Sequence, residues 1–283
     1  MAELADDLVI SAEFLRRAAS ALVLAPVILA VAWIGGPAFV ILVLAAAVLM
    51  SYEWDRLTGG TGTGPGAIAI AVVACLAIIL CGYGHMVNAL LALALGALVS
   101  GAILWRGRGS PAWAGLGLAY ITLPCLAVVW LRLDAEQGRA WLLWLFAVVW
   151  ATDIGAYVIG RAIGGPKLAP RISPGKTWSG LAGGIGAAAL VGGAMAGLLF
   201  GDREQSGAGF WQLAGGPRLA ALAALTAIAA QVGDLAESGL KRRRGVKDSG
   251  ALIPGHGGLL DRVDGLVVGA PFVAAVVMTS GGV

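Results

Sequence analysis

Charge is what this chain has least of. Asp, Glu, Lys and Arg make up 12% of its 283 residues, about half the share of a soluble domain. That shortage excludes a water-soluble globular protein. Cysteine is nearly absent, and Cys75, Cys81 and Cys125 all fall inside apolar runs. They read as small apolar fillers, which excludes a disulfide framework or a cysteine-ligated metal. Histidine occurs twice. The alternation of polar and apolar residues that a membrane β-barrel requires is missing. There is no internal repeat, no low-complexity linker and no separate soluble domain.

What the chain has instead is oil. Hydrophobic residues account for 59% of it, in runs about long enough to cross a ~30 Å hydrocarbon core. Nine such runs are read, over 18–35, 37–54, 67–84, 86–105, 113–132, 140–160, 178–200, 219–238 and 264–280. An open strand would leave backbone groups unpaired in lipid, so every run is expected to be helical. The expected fold is an all-α, polytopic transmembrane helix bundle of about nine spans, a single integral-membrane domain over 1–283. The 44 glycines, as in GLAGGIGAAALVGGAMAGLL at 180–199, suit helices packed backbone to backbone. Arg16, Arg17 and Ala30-Val31-Ala32 suggest a signal peptide, but Glu3, Asp6, Asp7 and Glu13 precede the arginines. A retained first span is therefore expected.

Lys and Arg are retained in short cytoplasmic loops. With a cytoplasmic N-terminus, the inside carries Arg16, Arg17, Arg56, Arg106, Arg108, Arg161, Lys167, Arg171, Lys176, Lys241, Arg242, Arg243, Arg244, Lys247 and Arg262. The outside keeps only Arg132, Arg139, Arg203 and Arg218. The opposite orientation reverses that bias and is rejected. The 161–177 and 239–263 loops then face the cytoplasm together.

Residues 234–264, DLAESGLKRRRGVKDSGALIPGHGGLLDRVD, hold five of the 16 acids and six of the 19 bases. On a helix, Asp234, Glu237, Ser238 and Lys241 share one face, and Asp261 and Asp264 share another. Asp234 lies about one turn inside its span and is expected to face a cation or a donor. Three converging carboxylates form a hard oxygen site suited to Mg²⁺; pairing with the neighbouring bases is the alternative. Lys241 to Arg244 fit a topogenic cluster, Arg243 and Arg244 above all. Lys247, Asp248 and Arg262, interleaved with glycines, fit phosphate contacts better. His256 is a ligand, a general acid or a turn residue. The glycines around it permit positive φ and close backbone approach, and successive amides there can cradle an anion.

A second constellation, TDIGAYVIGRAIGGPKLAPRISPGKTWSG, spans 152–180 and contains another intramembrane acid, Asp153. Its SPGKT run is not a phosphate-binding P-loop, because Pro170 stands where that motif needs glycine. Ser173, Lys176 and Thr177 still place two hydroxyls and an ammonium just before a helix N-terminus, where anions are favoured. An ordinary helix-start turn is the alternative.

Together these two segments resemble the CDP-diacylglycerol synthase (phosphatidate cytidylyltransferase) family. The stretch from Ser238 to Asp264, SGLKRRRGVKDSGALIPGHGGLLDRVD, agrees with that family's signature along its length. DIGAYVIGR (153–161) and SPGKTW (173–178) are a second match, and YEWDRL (52–57) is a looser echo. The resemblance implies an enzyme of the bacterial cell membrane, its active site facing the cytoplasm, that makes CDP-diacylglycerol and pyrophosphate from CTP and phosphatidate. By the same resemblance Asp234, Asp261 and Asp264 are assigned to a Mg²⁺ centre, with a second metal or a monovalent cation left open. Asp234, Asp261 and Lys241 are the expected catalytic groups. Ser173, Lys176, Thr177, Ser238, Arg242, Lys247, Asp248, His256 and Arg262 are assigned to substrate. Residues 136–283 become the catalytic half, and 1–135 supply packing, dimerisation or lipid contact. The expected partners are CTP, phosphatidate and membrane lipid, with a homodimer as the assembly and no nucleic acid. A transporter would need broken helices in repeated halves, which are absent. A CTP-dependent lipid kinase would yield CDP in place of pyrophosphate. A CDP-alcohol phosphotransferase would need an acid-rich motif that this chain lacks.

Overall fold

The computed structural model describes residues 22, 24–106, 111–200, 215–250, 252 and 257–280. The charges of the N-terminal segment, Arg108, Arg203 and His256 lie outside the described residues. Among those described, nine helices follow the apolar runs: α1 (Leu24–Ile34), α2 (Gly36–Leu57), α3 (Pro65–Gly82), α4 (Met86–Arg106), α5 (Pro111–Leu133), α6 (Gly138–Ile163), α7 (Trp178–Phe200), α8 (Gly215–Arg243) and α9 (Leu260–Thr279). Seven of them, all but α1 and α4, are long and apolar enough to cross a membrane by length and composition. The helix-bundle expectation holds to that extent.

Two departures fall in the polar loops. The segment before α7 is not simply a turn. Lys167–Ala169 (β1) and Ser173–Thr177 (β2) form an antiparallel hairpin in which Lys167 faces Thr177 and Ala169 faces Ser173. Pro166, Pro170 and Pro174 bar a helix here, because proline lacks the N–H that a helix interior needs. The second departure is the length of α8, which runs past 238 to Arg243. Lys241, Arg242 and Arg243 fill its last turn, where cations complement the helix dipole.

The sites of closest helix approach are glycine seams. A Cβ on Gly155 would stand 2.8 Å from the Gly183 carbonyl, and one on Gly180 or Gly184 would stand 2.8 Å from the carbonyl of Ala156 or Thr152. These positions bring α6 and α7 backbone to backbone, the packing available where burial from water drives nothing. The same device joins α8 to α9, since a Cβ on Gly233 would collide with the Asp264 carbonyl. The core itself is filled by Trp54, Trp144, Ile70, Ile78, Leu118 and Leu145, each fully buried.

Long-range contacts tie the helix ends together at both faces of the bundle. At one, Arg132 at the end of α5 donates to the carbonyls of Ala32 (2.6 Å) and Trp33 (2.8 Å), which end α1. At the other, the ends of α2 and α8 meet the hairpin and the starts of α5, α7 and α9. The polar segments converge on this second face.

Candidate active site

Among the described residues, two ion-pair centres occupy that face. In the first, Lys176 of β2 bonds Asp234 of α8 through Oδ2, while Ser238, one turn along the same helix, lies 3.4 Å from Oδ1. The hairpin explains how a lysine reaches an acid one turn inside the apolar run. A strand ending at the mouth of the bundle projects Lys176 over α8. Arg242 holds the hairpin there, donating through Nε to the Ile172 carbonyl at 3.2 Å. The expectation that Asp234 faces a cation is met within the chain itself.

In the second centre, Lys241 stands between two carboxylates, 2.5 Å from Asp261 Oδ1 and 3.1 Å from Glu237 Oε1. The Glu237 approach has ion-pair distance without hydrogen-bond direction, and neither carboxylate oxygen has a hydrogen-bond partner among the described residues. Glu237 is 1% exposed, with Lys241 as the cation beside it. Asp261 Oδ2 accepts from the Ser249 N–H (2.8 Å), the Ser249 hydroxyl (2.9 Å) and the Gly258 N–H (2.9 Å). Asp261 therefore organises the loop that carries the glycines of the signature as well as facing Lys241.

Asp264 lies one turn further along α9, and its Oδ1 accepts from the Gly265 N–H at 2.8 Å. The Gly233 contact sets α8 against α9 at this level, so Asp234 and Asp264 sit on adjoining helices. Asp153, on α6, is within electrostatic reach of Asp234, Lys176 and Arg262, and Asp264 is within reach of both Asp234 and Asp153. Acids from three helices thus surround one mouth.

The other expected residues divide. Ser173 opens β2 opposite Ala169. Thr177 is buried, and its Oγ1 accepts from the Gly180 N–H at 3.0 Å. That contact makes it the N-cap of α7. Lys247 and Asp248 are exposed, as are Arg242 and Arg262. Arg244 does more than carry topogenic charge, because its guanidinium donates to the Thr58 carbonyl at the end of α2. Arg243 is exposed and in the last turn of α8.

Sequence reading assigned no role to Glu53, the second residue of YEWDRL. It is fully buried and accepts from the Leu259 N–H (2.8 Å) and the Leu260 N–H (2.9 Å) at the start of α9. The available signal was its place in YEWDRL, the looser echo of the family pattern at the end of α2.

Hard carboxylate oxygens on α8 and α9 are the donor chemistry a divalent cation favours. No three His, Cys, Asp or Glu side chains among the described residues stand close enough to hold a metal by themselves. The set fits an ion that takes one or two carboxylates and completes its shell with water and phosphate, as Mg²⁺ does. Asp234 and Asp264 are the better donors, since Asp261 already accepts from four groups.

The family model described as the cytidylyltransferase family matches residues 15–280. The chain belongs to the cytidylyltransferase family. Among its curated relatives, the phosphatidate cytidylyltransferase of Brucella suis is 43% identical over 262 residues, covering 90% of this chain and 89% of the relative. That of Pseudomonas aeruginosa is 37% identical over 278 residues, covering 94% and 97%. This cytidylyltransferase is a nucleotidyltransferase enzyme, built on apolar helices.

Proposed function

We propose that the protein joins CTP to phosphatidate, releasing pyrophosphate and leaving CDP-diacylglycerol in the membrane. The observation that carries this reading is the convergence of both signature segments on one face of an apolar bundle, in a chain matched along nine-tenths of its length by phosphatidate cytidylyltransferases. The phosphomonoester oxygen of the lipid attacks the α-phosphorus of CTP. A new P–O bond forms as the bond to the bridging oxygen of the β-phosphate breaks, and pyrophosphate leaves with that electron pair. The nucleophile is already anionic, so no strong base is needed. The difficulty is to bring two anions together and to stabilise the charge on the leaving group.

Lys176 and Lys241 are placed for that task. Their side chains retain 21% and 12% exposure, enough to meet a phosphate from the mouth. Arg242, Lys247 and Arg262, exposed around it, add positive field for the triphosphate and the lipid headgroup. Ser173, Ser238, Asp248 and His256 complete the proposed substrate contacts. Asp234 and Asp264 are the residues that would hold Mg²⁺, with Asp261 the third carboxylate beside them; the ion when bound neutralises charge developing on the departing pyrophosphate.

We read the mouth as cytoplasmic. It carries Arg56, Arg161, Lys167, Arg171 and the signature bases, while Arg132 and Arg139 lie at the opposite face, a distribution that follows the retention of positive charge inside. The deciding experiment is turnover by the purified protein in lipid nanodiscs. CTP- and phosphatidate-dependent release of pyrophosphate, with a lipid product carrying CMP, is expected. CDP as the nucleotide product would instead identify a lipid kinase, and no turnover across varied lipids would sink the enzyme reading.

A further inference from the structure

We infer that Glu53, in the half of the chain remote from both signatures, is a positioning residue that sets the catalytic carboxylates of α9. The inference rests on the function proposed above for what α9 does, and on the following contacts for how Glu53 acts.

A helix leaves its first N–H groups without partners inside the helix. Leu259 precedes α9 and offers no side-chain acceptor, so no local cap is made. Glu53 supplies one from across the bundle. Its Oε1 takes the Leu259 N–H at 2.8 Å and its Oε2 takes the Leu260 N–H at 2.9 Å. Hydrogen bonds from amides to a carboxylate are about twice as strong as neutral ones, and negative charge at a helix N-terminus is favoured by the dipole. Oε2 also stands 3.2 Å from the Ser249 hydroxyl, which has a second acceptor at 2.9 Å in Asp261 Oδ2. One buried carboxylate therefore faces the first amides of α9 and the serine bridging to Asp261.

The surroundings are shaped to that carboxylate. A Cβ on Gly250 would lie 2.9 Å from Glu53 Oε1, and one on Gly258 would lie 2.7 Å from Oε2. Any larger residue at either position would push the loop off Glu53. The carrier of the carboxylate is fixed as well. The neighbouring Trp54 donates through Nε1 to the Trp113 carbonyl at 3.0 Å and packs on Tyr120 with ring centroids 5.0 Å apart. Arg244 clasps the end of α2 at Thr58. The end of α2 is thus anchored to α5 and α8, and from that anchor Glu53 holds the start of α9. Asp261 follows Leu260 directly and Asp264 comes one turn later, so the rotation and height of both acids follow from the Glu53 contacts.

Glu53→Gln keeps the shape but turns an NH₂ toward one of the two amides. The test combines turnover with hydrogen–deuterium exchange of the protein in nanodiscs, read by mass spectrometry over 257–264. Glu53→Gln is expected to speed exchange at the Leu259 and Leu260 amides at least tenfold while α6 and α7 keep wild-type protection. Its kcat should fall 10- to 100-fold. Glu53→Asp, which keeps the charge on a shorter arm, should recover part of both. Unchanged exchange at 259–260 overturns the inference, and so does unchanged kcat. Faster exchange throughout the bundle also overturns it, by showing a role in the fold at large. Exchange needs no turnover, so a wild-type protein without cytidylyltransferase activity would refute the proposed function while the exchange data still judged the cap.

Discussion

Asp261→Asn separates chemistry from stability more cleanly than any other single change. The native site sets one ammonium, Lys241, between two carboxylates, Asp261 at 2.5 Å and Glu237 at 3.1 Å. The side chains of Lys241 and Asp261 are 12% and 6% exposed, so solvent screens the pair little. Removing one member of a buried pair ordinarily costs about 3–5 kcal/mol, because an uncompensated charge is left behind. Here Lys241 keeps an acidic neighbour, since Glu237 stays beside it. The new Asn Oδ1 can still accept from the Ser249 and Gly258 amides, but without charge assistance, and its NH₂ meets the Lys241 ammonium donor to donor. The loss is then the charge-assisted bond to Lys241, about 1.5–3 kcal/mol, with weaker amide bonds besides, and the protein should remain folded. Turnover should fall far more, about 100- to 1,000-fold, the usual effect of losing one electrostatic stabiliser of a transition state. Pyrophosphate release at saturating CTP and phosphatidate, beside a thermal melt of the same detergent preparation, measures both quantities. Activity within fivefold of wild type would remove Asp261 from the reaction and leave it as a loop organiser only. A protein that fails to fold would show that the loop contacts of Asp261 matter more than the acid that Glu237 leaves beside Lys241.

Gly233→Leu should be far more disruptive than the same change at Gly101, where an added Cβ meets nothing within 4 Å. A side chain at 233 collides with the Asp264 carbonyl, so α8 and α9 must part. Loss of turnover with a lowered melting temperature is expected, and wild-type behaviour would refute the close seam. Thr177→Ala should lower stability by about 1 kcal/mol, the usual cost of losing an N-cap, with the KM for CTP within threefold. A tenfold rise in that KM without destabilisation would make Thr177 a substrate ligand in place of a cap.

The helices were legible because their signal is long and redundant. The run read over 178–200 is α7 residue for residue, and the run over 113–132 differs from α5 by two residues at its start and one at its end. Lys176 and Asp234 were legible as interesting residues, one as a cation beside a helix start and the other as an acid inside a span. Their pairing was not, because it depends on the hairpin, whose three-residue strand β1 is too short to show a period. The capping contact of Thr177 was hidden for a related reason. A hydroxyl before a helix serves equally as cap or anion ligand, and the 3.0 Å contact to Gly180 appears only once the helix start is placed. Glu53 lies 206 residues from its partner Leu259. No local pattern reports a contact of that span, and either of the two acids in YEWDRL, Glu53 included, could as well have faced water.

An acid at the centre of a lone span costs about 2.5–3.5 kcal/mol on insertion scales, and this bundle places several near one face. What makes the arrangement tolerable is how its parts are placed. Glycine seams bring α6 to α7 and α8 to α9 at backbone contact. Asp234 and Asp264 therefore meet protein and one another's helices in place of hydrocarbon. The cations reach them by two separate routes. Lys241 arrives on the same face as Glu237, one turn away along α8, and needs no loop at all. Lys176 must be carried in from outside the bundle. A continuation of α6 would have directed it along the helix axis and away from α8, whereas a strand that turns back at Pro170 returns it to the mouth. Gly164, which caps the end of α6, and the prolines that follow it are therefore part of the same solution as the glycines that pack the helix. One set stops the chain from continuing past the membrane boundary, and the other lets the acids come close enough for the returning lysine to reach them.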